Sequence, residues 1–339
     1  MVRVIGCDPG TSSLDLLLLA DGLVVDQARL TPEALRANQD SPAEVLRRWG
    51  PIDLVAGPSG YGLPLVRGDR LSARDLDEMA LVRPDERGSS VGVIGFRSVV
   101  RSVAGSGVPV VFLPGGIHLP TIPAHRKVNA IDMGTADKVA VAALALRSDA
   151  QSRAGPLDEA TFAVVELGSA FSAILVVERG RLVDASAGTR GPIGLRSGGS
   201  WDGEVAYWRS PLSKSDLFRG GLLDLGPIGP AAFVESLTKH VAGLKAVTPF
   251  DRLYLSGSSA RDPEIAATVT SALERFGVLF PLPSLPGAWV KHAAQGSALL
   301  ADGLVGGRHA DLVASLQLDQ ASGTVWDHLS STRLTSPTH

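Results

Sequence analysis

The chain has 339 residues, of which 45% are hydrophobic and 20% are charged, and its formal net charge is -3. This length suits two α/β domains, and 38 glycines and 22 prolines suit a turn-rich protein better than a coiled coil or a disordered chain. The small negative charge without a basic run argues against nucleic-acid binding, and no apolar run approaches the roughly 20 residues that span a bilayer.

The N-terminal sequence and the single cysteine indicate in which cellular compartment the protein is expected. Residues 1–8 reach a glycine and an aspartate too early for the apolar region of a signal peptide, so we expect a cytoplasmic protein. Cys7 has no cysteine partner for a disulfide or a structural zinc site. Because it lies in an apolar run, we expect it to pack in a strand.

The first 50 residues predict three strands and a helix. Residues 2–7 and 14–20 are apolar runs separated by the turn sequence Asp8-Pro9-Gly10-Thr11-Ser12-Ser13, which is typical of a hairpin. Residues 23–27 predict a third strand. Thr31-Pro32 then opens a helix that the apolar spacing predicts over residues 34–49.

Two further strands end in glycine-rich loops. Residues 52–56 run into Gly57-Pro58-Ser59-Gly60, and residues 108–113 run into Pro114-Gly115-Gly116. Loops at the carboxyl ends of strands are where ligands gather in open α/β sheets. A helix is predicted over residues 129–147, and the polar residues 151–158 predict a linker.

The opening pattern repeats after this linker. Residues 162–177 contain strand, turn and strand, with the turn at Glu166-Leu167-Gly168-Ser169-Ala170, and residues 180–184 supply the next strand. One such unit in each half predicts two similar domains, residues 1–155 and 160–305. A C-terminal helix and tail follow, over residues 306–339.

The rest of the second half predicts one strand and two helices. Residues 251–256 form a strand that ends at Gly257-Ser258-Ser259-Ala260. Helices are predicted over residues 263–276 and 291–304, and the second is rich in small residues that allow close helix approach.

The two hairpin turns carry residue types that suit phosphate binding. Glycine lets the backbone approach a phosphate, hydroxyl and amide groups donate to its oxygens, and a carboxylate holds Mg²⁺ directly or through water. Asp-Pro-Gly is also an ordinary turn sequence. The matching turn in the second half favours a ligand, because two such turns can hold one triphosphate from opposite sides.

The two hairpin turns are followed in the chain by Gly257-Ser258-Ser259-Ala260. The order of these three segments resembles the phosphate-1, phosphate-2 and adenosine motifs of the acetate/sugar kinase, Hsp70 and actin (ASKHA) superfamily. The resemblance implies an α/β, two-domain actin-like ATPase (ribonuclease H-like) fold that holds ATP and Mg²⁺ in an interdomain cleft. The implied nucleotide-binding residues are Asp8, Gly10, Thr11, Ser12, Glu166, Gly168, Ser169, Gly257, Ser258 and Ser259. Asp8 and Glu166 would hold the metal, and residues 293–304 resemble the connecting helix between the domains.

A closer resemblance implies a more specific type of phosphotransfer reaction. Residues 125–138 and 198–207 are similar to the DUF1464 family, whose members are often described as predicted butyrate kinases, and residues 191–198 look most like the butyrate kinase branch. This implies phosphorylation of a small carboxylate, and a homodimer is also implied because relatives of this type often dimerise. Most relatives have aspartate at the position of Glu166, whose carboxylate reaches about one methylene further.

A carboxylate acceptor is already ionised at neutral pH, so an acyl kinase needs positive charge more than a base. The sequence offers His125, Arg126, Lys127, Lys138, Arg190 and Arg196 as candidate cations. For residues 125–127 the alternative is a solvated loop. Asp132 and Asp137 flank Gly134-Thr135 at a predicted helix start, where they can hold metal or substrate or act as a helix cap and an exposed acid.

Three alternatives stay open. A kinase of a hydroxyl substrate, such as a sugar, would need a general base, for which Asp132 and Asp137 are candidates. A nucleotide-gated switch or scaffold would use cleft closure without a small-molecule acceptor. A degenerate site would bind no nucleotide.

Overall fold

A computed structural model describes residues 1–10, 13–31, 33, 41–58, 60–86 and 96–330. The first half of the chain forms a six-stranded sheet in the order β3-β2-β1-β4-β6-β5. Its strands are β1 (Arg3–Pro9), β2 (Leu14–Ala20), β3 (Leu23–Leu30), β4 (Leu54–Pro58), β5 (Val66–Arg67) and β6 (Val110–Leu113). Strands β1 to β3 pair antiparallel, whereas β4 and β6 continue the sheet parallel to β1.

The second half forms a five-stranded sheet in the order β11-β10-β7-β8-β9. Its strands are β7 (Phe162–Leu167), β8 (Ser172–Glu178), β9 (Arg181–Ser186), β10 (Arg252–Ser256) and β11 (Val278–Pro281). Strands β7 to β9 pair antiparallel, and β10 lies parallel to β7 as β4 lies parallel to β1. The predicted repeat of one strand unit in two halves is therefore confirmed, as is the mixed α/β class.

Ten helices of the described chain cover these sheets. They are α1 (Pro42–Arg48), α2 (Ala73–Ala80), α3 (Phe96–Ala104), α4 (Ala124–Lys127), α5 (Ala136–Arg153), α6 (Gly203–Trp208), α7 (Gly229–Val247), α8 (Pro263–Leu273), α9 (His292–Leu304) and α10 (Ala310–Leu316). In the described chain, none of these helices combines the length and the apolar composition that crossing a membrane requires.

Both sheets bury side chains on both faces. Along β1 the side chains alternate, so that Val4 lies in a core shared by the two sheets and Ile5 and Cys7 lie in a separate core on the outer face. The expected packing of Cys7 is confirmed. On the second sheet, α7 and α8 cover the outer face in the same way.

Helices α5 and α9 lie in the shared core and join the two halves. A Cβ atom on Gly296 of α9 would lie 1.8 Å from the carbonyl oxygen of Ala140 in α5, and a Cβ on Gly6 of β1 would lie 2.1 Å from that of Ala294. The backbones therefore touch, and only glycine fits at these two positions. The small residues of α9 have the close-packing role that the sequence predicts.

Two predicted helices differ from the structure. Residues 34–40 lie outside the described part of the chain, but Ser41 is extended and caps a helix that begins at Pro42, so a continuous helix to residue 49 is wrong. The helix predicted from residue 129 instead begins at Ala136, because positive φ angles at Asn129 (55°) and Gly134 (90°) turn the backbone.

Helix α5 also continues to Arg153, so the expected linker begins inside a helix. Strands β5 and β11 were not predicted, nor were helices α2, α3, α4, α6 and α7. The proposed division at residues 1–155, 160–305 and 306–339 stays a prediction.

Candidate active site

A cavity of about 890 Å³ opens between the two halves at the carboxyl ends of several strands. Asp8 near the end of β1, Glu166 near the end of β7 and Ser256 at the end of β10 all line it. Parallel strands that end at one edge bring distant side chains together, and such an edge is the usual ligand site of an α/β sheet.

The first hairpin turn presents a buried carboxylate. Asp8 is 5% exposed, and one of its carboxylate oxygens lies 3.7 Å from the ammonium of Lys291. Burial raises the pKa of Asp8 to about 6, although the nearby Lys291 charge opposes the shift. The turn closes through the Gly10 amide, which donates to the carbonyl of Ser13 at 2.9 Å. Thr11 and Ser12 lie outside the described residues.

The second turn presents a carboxylate with an unused oxygen. Glu166 is 7% exposed, and its Oε2 has no hydrogen-bond partner among the described residues. Its Oε1 lies 3.8 Å from the ammonium of Lys138. Burial raises the pKa of Glu166, and the Lys138 charge opposes this. A buried carboxylate oxygen without a donor is a ready acceptor for a cation or a donor from a ligand.

The turn after β7 and the glycine-serine segment after β10 contact each other directly. The hydroxyl of Ser259 donates to the carbonyl oxygen of Gly168 at 2.8 Å, and a Cβ on Gly257 would lie 2.1 Å from the carbonyl oxygen of Leu167. Gly257 also has a φ of 105°, which other residues rarely adopt. Gly168, Ser169, Gly257 and Ser258 line the cavity, whereas Ser259 is buried behind it.

The start of α5 adds an ion pair to the cavity. The ammonium of Lys138 lies 2.6 Å from a carboxylate oxygen of Asp137. Burial alone would raise the pKa of Asp137, but the Lys138 charge lowers it. Burial alone would likewise lower the pKa of Lys138, but the Asp137 and Glu166 carboxylates raise it. Asp137 is therefore a charged partner of Lys138, which makes it a poor proton acceptor.

Asp132 has a different environment from Asp137. It lies in the turn before α5, where its Oδ1 accepts a hydrogen bond from the Gly134 amide at 2.8 Å. Burial raises the pKa of Asp132 to about 6, despite that hydrogen bond. A carboxylate whose pKa approaches neutrality is suited to proton transfer.

The structure does not bring five of the six candidate cations to the cavity. The ammonium of Lys127 is buried and donates to the carbonyl of Leu119 at 2.8 Å, while His125 and Arg196 are exposed elsewhere. Neighbouring Arg126 forms an ion pair with Asp184 on β9, at 3.5 Å. Arg126 thus contacts the second sheet, and Arg190 contacts the sulfur of Met133. Of the six candidate cations, only Lys138 lines the cavity.

Sequence reasoning missed the cations that take their place. The cavity is lined by further cations and by the ring of Tyr61; the cations are Arg29, Arg97, Arg101, Lys214, Arg261 and Lys291. Lys291 donates to the carbonyl of Ser13 across 278 residues of sequence. In the sequence, Lys291 is recognisable only as the residue before the small-residue helix. That position does not predict the direction of its side chain.

The carboxylates fit a magnesium ion that is held jointly with a ligand. Within the described ranges no three His, Cys, Asp or Glu side chains are close enough to enclose a metal on their own. Mg²⁺ is usually held by one or two carboxylates together with water and substrate phosphates. Asp8 and the unpartnered oxygen of Glu166 match that requirement.

The family of the chain follows from its sequence. The sequence model of a family described as "Protein of unknown function (DUF1464)" matches residues 6–331. The chain belongs to the DUF1464 family. Among curated protein sequences, none matches it.

Several solved structures have a fold similar to that of this chain. A propionate kinase from Francisella tularensis is similar over 87% of this chain and 99% of its own, with 14% identity and a TM-score of 0.57. An acetate kinase from Porphyromonas gingivalis is similar over 83% and 89%, with 14% identity and a TM-score of 0.53.

An acetate kinase from Entamoeba histolytica is similar over 80% of this chain and 86% of its own, with 13% identity and a TM-score of 0.54. Identities this low show the fold alone. With the repeated sheet units, they show that the chain has a two-domain actin-like fold.

Proposed function

We propose that this DUF1464 protein is an ATP- and Mg²⁺-dependent phosphotransferase that phosphorylates a small carboxylate. The observation that carries the proposal is that two matching hairpin turns from opposite halves end in one cavity. There the buried carboxylates of Asp8 and Glu166 face the ammonium groups of Lys291 and Lys138. Alternating charges of this kind suit a polyphosphate with its metal.

The turns would bind the phosphates mainly through backbone. A Cβ on Gly10 would lie 2.4 Å from the ammonium of Lys291, and one on Gly168 would lie 2.8 Å from the Phe171 carbonyl. Glycine at both positions leaves no side chain between the turn backbone and a phosphate. Gly257 and Ser258 would lie under the nucleoside, on the side of the cavity that β10 forms.

The metal would be held by Asp8 and Glu166. Bound there, Mg²⁺ would neutralise charge on the β- and γ-phosphates. Lys138 and Lys291 would add positive charge on either side of the transferred group, and Asp137 would keep Lys138 protonated and in place.

The transfer itself needs no base from the protein. One carboxylate oxygen of the acceptor forms a bond to the γ-phosphorus, the bond from that phosphorus to the bridging oxygen breaks, and ADP leaves with the electron pair. A carboxylate is ionised at neutral pH, so no proton has to be removed. What the chain supplies is alignment and charge neutralisation.

An acyl-phosphate trap tests the proposal. Purified protein is incubated with Mg²⁺, ATP, hydroxylamine and straight-chain carboxylates from acetate to hexanoate, and the hydroxamate product is measured. We expect product with at least one acid and none with Asp8→Ala, while Asp319→Ala, at an exposed aspartate outside the cavity, stays active.

Calorimetric titration with Mg·ATP separates the ways in which the proposal can fail. Binding without hydroxamate from any acid would refute the carboxylate acceptor. ATP hydrolysis that no acceptor changes would favour a nucleotide-gated switch. Absence of binding would refute the nucleotide site itself.

A hydroxyl acceptor is the second candidate, and Asp132 is the observation that favours it. Its carboxylate lines the same cavity and its pKa of about 6 suits a general base. A panel of sugars and polyols, followed by ADP release, tests this candidate. If it holds, Asp132→Asn lowers kcat by about 100-fold or more and leaves the affinity for Mg·ATP unchanged.

A further inference from the structure

Lys214 is a cavity cation without a carboxylate partner. Its ammonium donates to the hydroxyl of Tyr61 at 3.2 Å and lies 4.3 Å from the centre of the Tyr61 ring. It also lies 3.4 Å from the carbonyl oxygen of Leu81. No carboxylate of the described chain comes within ion-pair distance of Lys214, whereas Lys138 and Lys291 each have two. A partly buried ammonium that only neutral groups satisfy can still bind an anion.

The position of Lys214 is fixed from both sides of the cleft. Lys214 begins the short turn Lys214–Phe218. The Ser213 amide closes this turn by donating to the side-chain carboxylate of Asp216 at 2.8 Å. The Lys214 amide donates to a carboxylate oxygen of Glu86, in the first half of the chain, at 2.8 Å. The side chain therefore reaches from the second half to Tyr61 in the first.

The charged neighbours of Lys214 differ from those of Asp8 and Glu166. The charges that act on it are those of Asp132 and Glu86, while Asp8 and Glu166 interact with Lys138 and Lys291. Asp132 interacts with both Lys138 and Lys214. Lys214 and Asp132 thus line the same cavity, and Lys214 pairs with neither carboxylate of the two phosphate turns.

Apolar side chains form part of the cavity lining, together with the charged side chains of Glu86, Arg97 and Arg101. Phe218, on the same turn as Lys214, packs edge-on against Phe171 with ring centres 4.9 Å apart. Met79, Val82 and Phe96 are further large apolar residues of the lining. A cation with apolar walls suits an anion with a hydrocarbon body, because a polyol would leave its hydroxyl groups unpaired against these side chains.

We propose that Lys214 binds the carboxylate of the acceptor and that the surrounding apolar side chains select a short hydrocarbon tail. The inference rests on the proposed carboxylate kinase activity. Lys214 holds the carboxylate oxygen that does not attack, which leaves the other oxygen free for the γ-phosphorus. Because Tyr61 and Glu86 hold Lys214 from the opposite half, the acceptor binds where the halves meet.

Direct binding and turnover are measured on the same variants. Butyrate is titrated into the full-length protein saturated with Mg·ADP, and binding is followed by ligand-observed NMR, with butyramide as the uncharged probe. The variants are Lys214→Met, Lys214→Arg and the control Lys239→Met, at an exposed lysine on α7. Thermal unfolding and Mg·ATP titration check that each variant is folded.

The expected result is butyrate binding that Lys214→Met weakens by ~30-fold or more, as for a lost partner of a buried charge. Lys214→Arg recovers part of the butyrate affinity, and Lys239→Met matches the wild type. Butyramide binds the wild type no more tightly than it binds Lys214→Met. In turnover, Lys214→Met raises the KM for butyrate with little change in the KM for ATP.

The outcomes separate the inference from the activity. Butyrate binding that depends on Lys214 without any turnover would support the inference and refute the proposed kinase activity. Turnover whose KM for butyrate is the same in Lys214→Met as in wild type would overturn the inference and leave the activity intact. Absence of butyrate binding to the wild type, or equal binding of butyramide, would also overturn it.

Discussion

The ammonium of Lys291 lies 3.7 Å from a carboxylate oxygen of Asp8, although the two residues stand near opposite ends of the sequence. The Lys291 amide also donates to the Asp15 carboxylate at 2.9 Å, and Asp15 in turn pairs with Arg29 at 2.6 Å. The first turn of α9 is therefore tied to the first hairpin. Movement of one relative to the other would change the charge beside the turn at Gly10.

Lys291→Met should weaken Mg·ATP binding. The substitution keeps most of the side-chain length but removes the positive charge beside Gly10, so a hydrogen bond to a charged phosphate group is lost. We expect the Kd for Mg·ATP to rise about tenfold or more. Isothermal titration measures it, with Lys239→Met as the exposed control. An unchanged Kd would place the phosphates away from Lys291.

Gly257→Ala should destabilise the protein and remove nucleotide binding. The new methyl group would meet the carbonyl of Leu167 at a position with a φ of 105°. We expect a loss of at least about 2 kcal/mol in the free energy of unfolding. Gly243→Ala is the matched control, because Gly243 is exposed on α7 with no atom near its Cβ position.

Gly243→Ala should instead gain about 0.5 to 1 kcal/mol, since alanine is the better helix former. Urea unfolding of both variants measures the difference. Equal effects of the two substitutions would contradict the tight contact between Gly257 and β7.

Asp132→Asn should stabilise the folded protein at neutral pH. Burial raises the pKa of Asp132 from 3.8 to about 6, so the unfolded chain releases this proton before the folded protein does, and wild-type stability falls as the pH rises between these values. Above about pH 6 the variant should be more stable by about 1 to 2 kcal/mol, less than the full shift because the cavity admits water.

The gain from Asp132→Asn should shrink as the pH falls from 6 towards 4, where the wild-type side chain is neutral in the folded state. Urea unfolding at pH 7.5 and at pH 4.5 measures both values. A gain that is the same at both pH values would show that the charge of Asp132 is not its source.

Carboxylate binding should weaken in alkaline solution. Burial lowers the pKa of Lys214 to about 8, and the charges of Asp132 and Glu86 act against the shift. Lys214 loses its positive charge as the pH rises through that value, so wild-type affinity for butyrate should be about tenfold lower at pH 9 than at pH 7. Lys214→Arg should show a flat profile because arginine stays protonated. Parallel profiles would assign the titration to another group.

The sequence predicted the features that repeat or that depend on neighbours in the chain. The strand units at residues 2–27 and 162–184 were identified from apolar runs and the turns between them, and both formed as predicted. The turns at Gly10 and Gly168 were identified because glycine beside an acidic residue is a local pattern. Resemblance to ASKHA motif order then gave the fold class, which the structure confirms.

The sequence was less informative about helix limits and side-chain direction. The helix expected from residue 129 began at Ala136 because the positive φ at Gly134 interrupts it, and periodicity does not reveal backbone angles. Lys127 was predicted in the site from its charge, yet its ammonium binds a backbone carbonyl. Local sequence does not show which of several lysines will face a cavity.

The sequence by itself determined the repeated strand units, the glycine turns and the family. Only the tertiary structure decided which charges meet: Lys291 with Asp8, Lys138 with Asp137 and Glu166, and Lys214 with Tyr61. The physical reason is that strand and turn preferences act over a few residues, whereas these contacts form only after α5 and α9 pack between two sheets.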